Sequence, residues 1–249
     1  MIPFFRRFVK NGREDRIREK KVSGWVLSLS LFFFISFFLA PALVSPGTIV
    51  DLEGRANAID FASEEGRYGY GNIGKANDSM FLWTDLNVYS GFIYAFGDLN
   101  CHNKAERSWK VNGNQMPVCT RDLGIFLGVA IGGAIFRGRG YNRWTVKDTV
   151  ISIFNEKFLD KIYAKGWRNI LFFGCALLAI LPLGIDGFTQ LLTSYESNNP
   201  LRIATGIPFG AGLGILIAGM YSARPNLFGS VSDVKLPAGI RFELLKQEE

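Results

Sequence analysis

Trp25 to Val44 (WVLSLSLFFFISFFLAPALV) runs twenty residues without a charged side chain, and no other feature constrains the fold as much. At about 1.5 Å per helical residue, such a run crosses a hydrocarbon core of about 30 Å. Its long charged prefix and its length fit a retained anchor rather than a cleaved leader. Leu201–Ser222 is a second long apolar run, carrying only Arg202 near its start; Asn169–Ile185 is a slightly short third and Leu123–Phe136 a shorter fourth. The expected fold is therefore an all-α integral membrane protein with four transmembrane helices. The spans are predicted at 25–44, 117–136, 169–188 and 201–223.

Lysine and arginine orient the spans. Eight basic residues between Arg6 and Lys21 face three acids, and eight between Arg137 and Arg168 again face three. Residues 47–118 instead carry nine acids against six bases. This asymmetry predicts a cytoplasmic segment 1–24, an outer segment 45–116, a cytoplasmic loop 137–168, an outer loop 189–200 and a cytoplasmic tail 224–249. Both termini then lie inside, in a cytoplasmic (plasma) membrane. The net charge of +6 is explained by this topology, so no nucleic-acid partner is needed.

Two shorter helices are expected beside the spans. Residues 80–97 are aromatic but interrupted by Asp85 and Asn87, which suits an interfacial helix better than a fifth span. Residues 145–165 read as one amphipathic cytoplasmic helix, capped by Thr145 and Asp148, with Val150, Ile151, Phe154, Phe158 and Ile162 as its stripe. Asn77-Asp78-Ser79 has the form of a glycosylation sequon. Gly124, Gly128 and Gly132 repeat at four-residue spacing in span two, as do Gly206, Gly210 and Gly214 in span four. Small residues so placed let helix backbones approach closely, either between these two spans or against a second copy or another membrane protein.

The chemistry gathers at residues 101–124 (CHNKAERSWKVNGNQMPVCTRDLG), which hold two of the three cysteines and the only histidine. Leu123–Phe136 supplies only about 21 Å of helix, so span two is expected to begin near Pro117. That start sets Arg121 and Asp122 at the outer interface. The same length argument carries span three to Asp186, and Arg202 opens span four. Charges at such depth pair, face water or mark a function. Arg121, Asp122, Asp186 and Arg202 are thus a predicted cluster at the outer leaflet. Within it His102, Arg107, Arg121 and Asp186 form a candidate catalytic set.

Cys101 and Cys119 fit a disulfide on an oxidising outer side. With His102 and Asp122 they also make a four-ligand zinc set, and free thiols are the plain alternative. The Asn112-Gly113 pair predicts a tight turn that brings the two cysteines together.

Cys101-His102, Arg107-Ser108, PVCTRDLGIFLG, GIDGFTQL and NPLRIATGIPFG together resemble a family of small prokaryotic polytopic membrane proteins, known only as a domain of unknown function. The resemblance covers about residues 98–219. It implies a membrane fold and marks these positions without supplying an activity. That family's second cysteine block usually reads Cys-x-Arg-Cys, and here Asp122 stands in place of its last cysteine.

The resulting expectation is a structural or accessory multi-pass membrane component. The alternatives are an enzyme acting on a lipid head group or lipid-anchored substrate at the outer face, and an outer-face metal-binding or redox protein.

Overall fold

The computed structural model describes residues 16–49, 51–52, 71–73, 80–225, 234 and 236–240. The first fifteen residues, the Asn77-Asp78-Ser79 sequon and most of the predicted tail lie outside the described residues. Among the described residues the long elements are helical. These are α1 (Ile17–Ala42), α2 (Val88–Asn100), α3 (Thr120–Arg139), α4 (Val146–Ile151), α5 (Glu156–Ala164), α6 (Arg168–Leu192) and α7 (Asn199–Ser222). Two small antiparallel pairs accompany them: β1 (Gly71–Ile73) with β2 (Met80–Leu82), and β3 (Lys110–Val111) with β4 (Asn114–Gln115). Three helices, α1, α6 and α7, are long and apolar enough to cross a membrane.

The helix α6 shows most directly what surrounds the protein. Ile170, Phe173, Leu178, Ile185, Phe188 and Leu191 are each at least 62% exposed, while its buried residue is Asp186. An apolar exterior over a buried carboxylate inverts the water-soluble pattern and suits a helix solvated by lipid.

The described chain divides into two bodies, and α1, α3, α6 and α7 contribute a segment to each. In the first body (residues 29–127 and 182–209) the core is aromatic. Phe33 of α1 stacks on Phe96 of α2 at 4.0 Å between ring centres, and Phe37 meets Phe126 of α3 edge-on. Gly124 of α3 and Gly206 of α7 face backbone, not side chains, across their contact. The end of α1 is closed from a distance by Asn114: its Nδ2 donates to the carbonyls of Pro41 and Ser45, and its Oδ1 accepts the Ile49 N–H.

In the second body (residues 16–28, 128–181 and 210–240) the glycine contact between α3 and α7 recurs, with Gly132 against Ala211 and Gly214 against Val129. The glycine faces at these four positions are taken up within the chain. Arg16 closes the C-terminal end of α3. Its guanidinium donates to the carbonyls of Phe136, Arg137, Gly138 and Gly140 and lies 4.6 Å from the Tyr141 ring centre. Orphan carbonyls and the negative helix end both favour a cation there.

Several predicted boundaries move. The helix expected as span two, α3, begins at Thr120 instead of Pro117 and gains its length at the other end, reaching Arg139; twenty residues give about 30 Å. The helix expected over 80–97 begins only at Val88, where the Asn87 side chain caps it. Residues 80–82 pair as a strand, and exposed Asp85 sits in a single 3₁₀ turn. The one helix expected over 145–165 is two. Thr145 does cap the first. Ser152 then accepts the Tyr141 N–H and donates to the Thr149 carbonyl, and Asn155 caps a new helix. The buried side of that second helix is Leu159 and Tyr163, packed with Val234 and Leu236, while Phe158 is exposed.

Candidate functional site

The predicted cluster lies within the first body, and its geometry starts with two short-range features. Gly97 in the last turn of α2 faces the Pro117 carbonyl so closely that no Cβ fits between them. Asn112 and Gly113 both adopt positive φ (53° and 74°) and close the β3–β4 turn, the conformation the Asn-Gly pair favours. Together these draw Cys101, at the end of α2, to Cys119, at the start of α3.

A buried polar network holds the loop between them. Gln115 donates to the Asn103 carbonyl at 2.8 Å and to its Oδ1 at 3.1 Å, and Ser108 also donates to that Oδ1. Asp98 accepts the Trp83 indole N–H at 2.6 Å. Tyr94 donates to the Gln115 carbonyl; burial, then the nearby Asp98, pushes its phenol above the ordinary range.

Cys101 and Cys119 are free thiols. The Cys101 sulfur accepts backbone N–H groups from Asn103 at 3.3 Å and Cys119 at 3.2 Å. The Cys119 thiol donates to Asp122 at 3.2 Å. The Cys119 side chain beside it, ahead of burial itself, pushes the Cys101 thiol above its ordinary range. The sulfurs and one Asp122 oxygen lie within 4.8 Å of one another. His102, the fourth predicted ligand, is exposed and stands outside that group.

The charged residues form a second, adjoining set. Arg121 of α3 pairs with Asp186 of α6. Gln190, one turn later, donates to Asp186 at 3.0 Å and accepts from Arg202 of α7 at 2.7 Å. Arg202 is 2% exposed and also donates to the Ser197 carbonyl. Arg107 pairs with Glu196 at 3.0 Å, and Thr120 donates to the Asn199 side chain. Three helices are thereby linked through one line of charge: Arg121, Asp186, Gln190, Arg202. Asp122 belongs to the thiols instead. The Nε atoms of Arg107 and Arg121 and Oδ1 of Asp186 are buried without a hydrogen-bond partner.

Gln190 falls within the predicted outer loop 189–200 and outside the predicted cluster, and sequence reasoning missed the Asp98–Asn103–Gln115 network. It also missed a buried set in the second body, where Arg143 pairs with Glu156 and Tyr163 donates to Asp148. The one available signal for that set was the density of polar residues around the Thr145 cap.

A family model described as "Predicted membrane protein (DUF2085)" matches residues 101–216. An uncharacterized protein of Methanothermobacter thermautotrophicus is 36% identical over 47% of this chain and 82% of its own length. An uncharacterized protein of Methanocaldococcus jannaschii is 32% identical over 77% of this chain and 86% of its own. The chain belongs to this family. The family match begins at Cys101 and ends within α7, so it takes in the thiol pair and the charge line and leaves out α1 and α2. Membership fixes the protein as a membrane protein and agrees with the apolar exterior of α6. No solved structure matches the chain.

Proposed function

We propose that this family member is a four-span membrane protein acting as a structural or accessory component, with the charge line fastening its helix ends at the outer leaflet. One observation carries the reading. The residue that lipid-facing α6 buries is a carboxylate, and that carboxylate meets Arg121 on one side and Gln190 on the other. A charge so spent holds helices together, since an ion at that depth needs a close partner. The fourth span is α3, whose twenty residues suffice in length and whose glycine face is matched to α7. The lysine and arginine asymmetry puts residues 1–24, 137–168 and the tail inside.

Two measurements test this. A cysteine at exposed Thr84 reacts with an impermeant maleimide in intact cells, and one at exposed Lys157 reacts only after lysis; the reverse pattern overturns the topology. Arg121→Gln or Asp186→Asn alone lowers accumulation, since breaking one side of a buried pair costs about 3–5 kcal/mol. Arg121→Met with Asp186→Leu restores much of it. Single variants that accumulate and melt like the parent overturn the fastening role.

The unpartnered Nε atoms of Arg107 and Arg121 favour a second reading, in which His102, Arg107, Arg121 and Asp186 act on an anionic lipid head group at the same face. Arg107→Gln then accumulates normally but loses the cellular phenotype. A phenotype unaffected by that change rejects it.

A further inference from the structure

We propose that Cys101, Cys119 and Asp122 form a zinc site, with the fourth position taken by water. The three ligand atoms already lie within 4.8 Å of one another. Tetrahedral zinc with sulfur bonds of about 2.3 Å sets its ligands about 3.8 Å apart, so closure needs a movement of about 1 Å.

The ordinary alternative for Cys119 and Asp122 is helix capping, because they occupy the cap and third helical positions of α3. In a capping box the third-position carboxylate takes the backbone N–H of the cap residue. Here that N–H goes to the Cys101 sulfur instead, and the carboxylate takes the thiol of Cys119. The pattern joins three ligands around one point.

The support of Cys101 is the second, independent observation. Two backbone N–H groups, from Asn103 and Cys119, aim at a single buried sulfur. Such donors suit an anionic sulfur, as they do at metal-thiolate centres, where outer hydrogen bonds orient and tune the ligands. Asn103 holds a positive φ of 42° while it does so. The Asn103–Gln115–Ser108 network then locks that loop in place. Cys119 and Asp122 keep partial exposure, which leaves the ion a way in.

A disulfide would use the two sulfurs and strand the carboxylate, whereas a metal employs all three groups. Two thiolates with a carboxylate select zinc over magnesium or calcium. Binding releases both thiol protons to solvent, and the carboxylate enters as its anion. The site shares no ligand with the Arg121–Asp186–Gln190–Arg202 line, so the two proposals fail separately.

The test uses full-length protein in detergent, reduced and stripped with chelator, then titrated with Co(II). Expected are one ion per chain, a thiolate-to-cobalt charge-transfer absorption, tetrahedral d–d bands, and displacement of cobalt by zinc. Cys101→Ser and Cys119→Ser abolish the charge-transfer band, while Cys175→Ser retains it. Asp122→Asn weakens binding at least about tenfold. Asp122→Cys supplies a third thiolate and raises both the band and the affinity, which guards against loss of signal through misfolding. The proposal is overturned if the reduced protein gives no charge-transfer band or if Cys119→Ser keeps it. It is likewise overturned if the purified protein carries a Cys101–Cys119 disulfide and the reduced form takes up no metal.

Discussion

Gly206 of α7 sits against the backbone of Arg121: a Cβ at Gly206 would lie 2.6 Å from the Arg121 carbonyl oxygen. The residue that carries the charge to Asp186 is thus positioned by a missing side chain on another helix. Gly206→Ala overpacks this contact and costs about 1–3 kcal/mol. Its melting temperature in detergent should fall, whereas Gly174→Ala, at a position with open space, should leave it unchanged. Equal melting temperatures would remove the close approach as the positioning device.

Gly97 tests the juxtaposition of the two cysteines. Alanine there collides with the Pro117 carbonyl, so the end of α2 must shift from the start of α3. Oxidant-driven cross-linking of Cys101 to Cys119 should slow in Gly97→Ala, read by the number of free thiols over time. An unchanged rate means the loop, not the helix contact, sets the spacing.

Asn114 is fully buried and bonds four backbone groups near the end of α1. Asn114→Ala takes this partner from the Ile49 N–H and the Pro41 carbonyl, at about 1–3 kcal/mol for each group left unpaired that water does not reach, while the Ser45 carbonyl keeps Thr48 and the Val44 carbonyl keeps Asn112. The expected result is a large drop in thermal stability, exceeding that of the exposed variant Asn112→Ala, whose side chain makes one bond to the Val44 carbonyl.

Tyr163 predicts a pH dependence. Burial, then the neighbouring Asp148, pushes its phenol well above the ordinary range. A group raised in the folded state contributes stability that is fully present below its unfolded value, about 10, and is lost as pH rises beyond it. The protein should therefore lose stability above about pH 10. Tyr163→Phe should lower stability at neutral pH, by about 1.5–3 kcal/mol for a bond to a charged acceptor, and flatten the alkaline loss. Melting curves at pH 8 and above pH 10 separate the two effects.

What was legible in the sequence is what depends on composition and spacing. Long apolar runs announced α1, α6 and α7, and four-residue glycine spacing announced the α3–α7 contact. The predicted cluster included Arg121 and Asp186, which do pair, although α3 starts at Thr120 and takes its added length at its other end. The rest depends on partners distant in the chain. The break after Ile151 is made by the Tyr141 N–H reaching Ser152, which no local propensity encodes. The choice of Leu159 and Tyr163 over Phe158 as the inward residues follows from Val234 and Leu236 packing there. Gln190 looked like a loop residue until α6 extended past it, and only then did it stand between Asp186 and Arg202. His102 looked like a ligand by its neighbour in sequence, but the turn after Cys101 leaves it exposed.

Arg16 grips carbonyls from Phe136 to Gly140, so the grip joins residues separated by 124 positions at its widest. A ribosome makes the first helix long before it makes that carbonyl row. During synthesis α1 must therefore wait with its arginine unengaged, and the far end of α3 stays open until residue 140 has emerged. Any nascent chain stalled before Gly140 therefore lacks this clasp, and α1 is held to α3 by it only once the chain has passed that point.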